Sequence, residues 1–310
     1  PFQLFLPPGG HKTVTVSPAI PETFGGYVVI VDVENQGRFF GAGLVRARKN
    51  VFPRTQFRRY TMDAVSIDQM VRLGAYPNRK GVHFTPVPGG GAKHIKEFLR
   101  THGNIREIRE IGEAGMTVTA EFGGPEHSGP HQPLGSARPH LDADGFMRSG
   151  KSDWTWSPQY DDQFEEMVYR LCVTMGYPKG PVNGVMLWNE PWEGKSISGW
   201  QADIPRYREL YTRMAKGVER AREDAGVDVL IGGCDSYSNT RDKLFPDTST
   251  AFLKWLDFLS IHYQGNNSFA NVKEWVNRDH PNGRVRIWDT ESWITNTEDG
   301  VPTMVAGCAS

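Results

Sequence analysis

The sequence predicts an α/β fold in which parallel strands curl into a barrel of the (β/α)8 type, preceded by a small β-rich module. Three observations carry that expectation. From residue 92 onward, segments of helical periodicity alternate with short apolar runs, the pattern of helices laid against a parallel sheet. One run, Val185-Met186-Leu187-Trp188, stops at Asn189-Glu190-Pro191, and a second, Arg284-Val285-Arg286-Ile287-Trp288-Asp289-Thr290, stops at Glu291. A proline cannot continue a central strand, so Glu190 belongs at a strand's carboxyl end, where an α/β barrel gathers its loops and its chemistry. The chain, 310 residues long, suits one barrel of about 250 residues with a small addition.

Residues 1–50 supply the addition. Lys12-Thr13-Val14-Thr15-Val16 alternates polar and apolar side chains, Tyr27-Val28-Val29-Ile30-Val31 is β-rich, and glycines and prolines separate the runs. So short a segment makes a marginal core, and a sheet packed on the barrel is expected, with an accessory sugar-binding module as the alternative. The barrel is assigned to residues 51–310. Its opening is weakly patterned: Val65-Ser66-Ile67 and Met70-Val71 fit a helix or a strand, and Val82-His83-Phe84 fits an early strand. Residues 92–100 and 104–114 read as helices parted by Gly103, the second with Ile105, Ile108 and Ile111 on one face. Met116 to Phe122 follows as a strand.

Residues 123–156 form a long loop holding Glu126, His127, His131, His140, Asp142 and Asp144. These spacings match no metal template, so no metal and no cofactor is expected. Long loops are often functional, and this one is expected to wall a cleft, with His127 reaching a ligand hydroxyl and Trp154 or Trp156 stacking on it. A solvated loop anchored by its tryptophans is the plainer alternative. Ser157-Pro158 opens a helix whose buried stripe is Phe164, Met167, Val168, Leu171, Cys172 and Met175, with Gly176 and Pro178 as the stop. Asp161, Asp162, Glu165 and Glu166 then complement the helix's amino end and are not catalysts.

Between the two strand-end glutamates the pattern continues. Tyr207, Leu210, Tyr211, Met214 and Val218 mark a helix over 203–226; Val227 to Gly233 reads as a buried strand; Leu253 to Leu256 lies in a short helix; Asp257 to Tyr263 is the next strand; Val272 to Val276 lies in another helix. After Glu291 only residues 292–310 remain, with no room for an eighth strand. The barrel is therefore expected to be incomplete at its C-terminal end and closed by a missing segment or another subunit. The chain starts at Pro1 with neither Met nor a signal peptide, as a processed product or a fragment does.

Composition narrows the partners. A formal charge of −1 provides no field for nucleic acid or an anionic membrane. No apolar run is long enough to span a bilayer. Three cysteines, Cys172, Cys234 and Cys308, match neither a disulfide framework nor a zinc site. Nine tryptophans, with Trp192 and Trp293 just beyond the two glutamates, suit a neutral polar ligand with apolar faces, such as a sugar ring, although tryptophan is also core material.

Trp188-Asn189-Glu190-Pro191, together with the second strand-end Glu291 and the Ser260-Ile261-His262-Tyr263 run, resembles clan A of the retaining glycoside hydrolases. The resemblance implies a (β/α)8 barrel with Glu190 as acid/base at the end of the fourth strand and Glu291 as nucleophile at the end of the seventh. It also implies that Asn189 binds a sugar 2-hydroxyl and that Tyr263, beside His262, orients Glu291. His262, Trp192 and Trp293 join His127 and Trp154 as expected substrate contacts. A charge on Glu291 is expected to raise the pKa of Glu190 toward that of an acid working near neutral pH. The expected partner is a poly- or oligosaccharide, and the family favours a secreted or periplasmic location. A barrel that binds carbohydrate without turnover and a transglycosylase remain alternatives.

Overall fold

The computed structural model describes residues 7–13, 15, 17, 25–46, 54–58, 61–62, 66–123, 158–191, 204–236, 247, 249–262, 274, 276–278, 280 and 283–291. The chain divides into two compact units, Pro1–Asn50 and Val51–Ser310. In the first, β1 (Gly25–Val33) and β2 (Gly37–Arg46) form an antiparallel hairpin with a bulge between Val28 and Ile30. Asn35 turns the chain with a φ of 62°. The alternating run at residues 12–16 lies partly outside the described residues.

The second unit is built on parallel strands. β3 (Thr61–Met62) pairs in parallel with β4 (Tyr76–Pro77). Between them runs α1 (Ile67–Leu73), capped by reciprocal bonds between Ser66 and Gln69 and ended by Gly74. The ambiguous stretch near Met70 is thus a helix. β5 (Arg79–Val82) follows, three residues ahead of the expected run at 82–84. Next come α2 (Ala92–Thr101), α3 (Gly103–Glu113), β6 (Val118–Phe122), α4 (Asp161–Met175), β7 (Val182–Leu187), α5 (Ile204–Ala225), β8 (Leu230–Ser236), β9 (Phe258–His262) and β10 (Arg286–Glu291). A single 3-10 turn at Ala251–Leu253 stands where a short helix was expected. The helix at 272–276 lies largely outside the described residues.

β5 to β10 form one sheet in chain order, every neighbouring pair parallel. This is an α/β architecture with a curled six-stranded sheet. Among the described residues no ladder joins β10 to β5. Side chains do cross between them: Asn78 Nδ2 donates to the Thr290 carbonyl, and Arg79 reaches Glu291.

Strand alternation sorts the core. Val118, Ala120 and Phe122 of β6, Val185 and Leu187 of β7 and Leu259 and Ile261 of β9 join one apolar cluster with Ile105, Ile108 and Ile111 of α3, Phe164 and Leu171 of α4 and Leu210 and Met214 of α5. Cys172 lies in this layer, and burial pushes its thiol up to about 12. On the other side of the sheet, the Phe258 ring occupies space that only a glycine at 232 can leave: a Cβ there would stand 2.0 Å from the ring. Phe258 stacks on Trp288, with ring centroids 3.9 Å apart.

The amino ends of the strands are closed by residues 54–58. Gln56 donates to the Asp228 carbonyl at 2.8 Å and its own carbonyl accepts from Asn183 at 2.7 Å. Thr117 donates to the Thr55 carbonyl at 2.8 Å. The Arg58 guanidinium bonds the carbonyls of Pro77, Asn78 and Thr117 and the Thr119 hydroxyl. These bonds satisfy polar groups that the curled sheet would otherwise bury unpaired.

Candidate active site

At the opposite, carboxyl end, β7 stops abruptly. Trp188 and Glu190 both take left-handed backbone, with φ of 66° and 45°. Such conformations cost roughly 1–3 kcal/mol each in a non-glycine residue and persist where the surroundings impose them. Here they turn the chain around Asn189 and leave Glu190 only 7% exposed. Pro191 follows, with no N–H to extend the ladder.

β10 delivers the second carboxylate. Its register against β9 shifts between Asp289 and Glu291, so that Glu291 stands opposite His262. The irregularity re-aims the strand end, as bulges do. The Thr290 hydroxyl meets Ser260, and it lies 3.1 Å from His262 Nε2. The Glu291 side chain keeps 27% of its surface exposed, and the Arg79 guanidinium from β5 donates to its Oε2.

His262, at the end of β9, joins the two. Its fully buried ring places Nδ1 2.9 Å from Glu190 Oε1 and 3.7 Å from Glu291 Oε2. One proton lies between His262 and Glu190, donated either by the ring to the carboxylate or by a protonated carboxyl to the ring. Arg79 Nη1 stands 3.4 Å from His262 Nε2 and donates to Glu121 Oε2 at 2.7 Å. The cluster thus holds three carboxyl groups, one imidazole and one guanidinium. Asn189 Oδ1, beside Glu190, is buried and accepts no hydrogen bond among the described residues.

One ligand atom each from Glu190, His262 and Glu291 fall within 4.8 Å of one another, compact enough to hold a metal ion. An ion bound to all three would compete with the Arg79 guanidinium for the Glu291 carboxylate and would displace the proton between His262 and Glu190.

Four of the sequence-derived residues, Asn189, Glu190, His262 and Glu291, can therefore be described, and three of them form one cluster. Tyr263, Trp192, Trp293, His127 and Trp154 lie outside the described residues. Glu291 is held by Arg79 and approached by His262. Sequence reasoning did not find Arg79, Glu121 or Thr290. A charged residue in a short strand without an apolar run carries no periodic signal.

No protein-family model matches this sequence, and no curated protein sequence matches it. Several solved structures are distantly similar. An endo-β1,6-glucanase shares 15% identity at a TM-score of 0.38 over 67% of this chain and 47% of its own, so this chain spans about half of that enzyme's length. A GH26 β-mannanase from Bacteroides ovatus shares 15% identity at 0.37, over 79% of this chain and 72% of its own. A chitinase from Ipomoea carnea shares 12% identity at 0.31, over 68% and 83%. Likenesses this low carry no argument about function.

Proposed function

We propose that this chain is a glycoside hydrolase that cleaves an O-glycosidic bond of a poly- or oligosaccharide by double displacement, with Glu190 as acid/base and Glu291 as nucleophile. The observation that carries the reading is the pairing of two strand-end carboxylates whose nearest ligand atoms lie within 4.8 Å, one almost fully buried and the other open and ion-paired. A glycosidic bond needs a proton for its leaving oxygen and stabilisation of an oxocarbenium-like carbon. Carboxyl groups about 5 to 5.5 Å apart support direct attack, and inverting enzymes keep a larger gap to admit water. A nearest-atom approach within 4.8 Å is compatible with direct attack, and retention is part of the proposal.

In the first step Glu291, ionised and held by Arg79, attacks the anomeric carbon while Glu190 gives its proton to the departing oxygen. The carbon–oxygen bond to the leaving group breaks as the ester to Glu291 forms. In the second step Glu190, now a carboxylate, takes a proton from water, whose oxygen displaces Glu291 and regenerates both groups. Water and glycoside become two hydroxyl-bearing sugars. Burial of Glu190 against His262 suits a group that must hold a proton and then take one back. Asn189 Oδ1, buried and without a hydrogen-bond partner among the described residues, suits a substrate hydroxyl, which supports its assignment to the sugar 2-hydroxyl.

Assignment of the curled sheet to a (β/α)8-type barrel, without an evident eighth strand, belongs to the same proposal; the six parallel strands in chain order support it. The test is a screen of aryl glycosides and polysaccharides with products identified, followed by a 2-fluoro glycoside on the active substrate. Retention of configuration by NMR and a label on Glu291 by peptide mapping are expected. Inversion at early times, or a label on another residue, defeats the mechanism.

A further inference from the structure

The charged cluster extends beyond the two glutamates. In the parallel register Gly81 of β5 stands opposite Glu121 of β6, and Arg79, two residues earlier, shares Gly81's face. The two side chains are largely buried, with 13% and 14% of their surface exposed. Arg79 Nη1 donates to Glu121 Oε2 at 2.7 Å, while Nη2 donates to Glu291 Oε2. Given a single carboxylate, a guanidinium tends to grip it with two parallel bonds. Here its two terminal nitrogens are divided between two carboxylates. The division has a geometric consequence: Glu121 sets the plane of the guanidinium, and so the point at which Glu291 is held. It also has an electrostatic one. One positive charge is shared by two negative ones, so Glu291 is less neutralised than it would be with Arg79 to itself.

We propose that Glu121 is a positioning residue for the Glu291 carboxylate, dividing the Arg79 guanidinium so that Glu291 is oriented without being locked in a two-point ion pair. The role rests on the reading of Glu291 as the nucleophile. A nucleophile must be aimed at carbon and still keep its electron density, and a two-point guanidinium grip opposes the second need. If Glu121 only satisfied a buried arginine, its loss would reduce the folded population and leave kcat of the folded enzyme nearly unchanged.

The experiment compares the wild type with Glu121→Gln and Glu121→Asp. Two readouts are taken: kcat/KM against pH on the 4-nitrophenyl glycoside that the wild type cleaves, and rotation of the Arg79 guanidinium by 15N NMR. Glu121→Gln removes one negative charge beside ionisable carboxyls, so both limbs of the profile move to lower pH. Its kcat falls about a hundredfold, the scale of a misoriented reacting group, with KM nearly unchanged. Guanidinium rotation stays slow, because Arg79 then grips Glu291 at two points. Glu121→Asp keeps the charge and restores the wild-type limbs with part of kcat. A folded Glu121→Gln protein with wild-type kcat, or with guanidinium rotation faster than in the wild type, overturns the proposal. Where the Gln variant does not fold, the Asp variant decides, and wild-type kcat and rotation in it overturn the proposal as well. The NMR measurement does not depend on turnover. The reading of Glu291 as the nucleophile fails separately, when a folded Glu291→Gln protein still turns over.

Discussion

Two arginines send their guanidinium groups toward opposite ends of the same curled sheet. Arg58, at the amino ends of the strands, donates to three backbone carbonyls and one hydroxyl, all neutral acceptors fixed by the fold. Arg79, the first residue of β5, reaches two carboxylates near the carboxyl ends of β6 and β10, one of which belongs to the paired glutamates. The first arrangement completes backbone hydrogen bonding, and its contribution is to stability. The second gathers like charges that oppose one another and leaves them partly solvated. Such an arrangement contributes little to stability and suits chemistry. The comparison teaches that the partner decides what a half-buried guanidinium does, and it can be broken at either end.

The largest effect is expected at the carboxyl end. Glu190→Gln and Glu291→Gln keep the size of each side chain and remove its ability to ionise, so each should lower kcat/KM on the order of a thousandfold or more, the scale for groups acting in the transition state. Thermal unfolding should change little or move upward. Glu190→Ala should lose less on substrates with good leaving groups and recover turnover with azide. Near-normal turnover by either folded Gln variant would sink the assignment and, with it, the contrast between the two ends.

At the amino end the effect should be reversed in kind. Arg58→Met keeps the aliphatic stem and removes every donor, leaving three carbonyls to find other partners. Unsatisfied buried acceptors cost about 1–3 kcal/mol each before relaxation, so a loss of about 2–4 kcal/mol in urea unfolding is expected. Activity per folded molecule should stay near the wild type's. A stable Arg58→Met protein with impaired turnover would show that the amino-end network serves the site and would erase the distinction.

The two ends were not equally legible in the sequence. Glu190 and Glu291 could be found because each ends an apolar or β-rich run, and the proline after Glu190 marks the strand's end. Arg79 could not. It opens Arg79-Lys80-Gly81-Val82, whose inward face carries a charge and a glycine, and its partners lie 42 and 212 residues away in sequence. The same weakness displaced β5 onto Val82-His83-Phe84 in the sequence reading, because Val82 and Phe84 point to the helices and carry the only apolar signal there. The helices fared better: burial of Phe164, Leu171, Leu210 and Met214 follows the 3.6-residue stripe. The amphipathic helices were readable because their partners are generic, whereas the inward face of the sheet depends on specific distant residues.

The layer between the two ends gives a third point of comparison, through Cys172. Its thiol is wholly buried among apolar side chains, and burial pushes it up to about 12 from an ordinary value of 9.0. The folded state therefore holds this proton more tightly than the unfolded chain does. The resulting stability is fully present below pH 9 and is lost as pH rises from about 9 to 12, where only the unfolded chain ionises. Cys172→Ala should lose less stability over that alkaline interval, although it starts lower because of the cavity. Peptide-resolved iodoacetamide labelling near neutral pH should leave Cys172 unmodified in the folded protein and modify it in urea. Rapid labelling of the folded protein would contradict its place in the core.

The smallest effect is expected where an arginine is neither enclosed nor set among reacting groups. Arg213 on α5 meets Asp162 at 2.8 Å and Glu165 at 3.0 Å on α4, with about a third of its side chain exposed and Asp162 almost fully so. Its pKa is raised, first by the hydrogen bond to Glu165, but water and salt screen most of that interaction. Side-chain entropy offsets part of the remainder, since two long chains must be held in one geometry. Arg213→Ala should therefore cost less than about 1 kcal/mol, and the difference should shrink as salt is raised. If it approached the Arg58→Met loss, or did not respond to salt, burial and the nature of the partner would not be what separates the arginines of this protein.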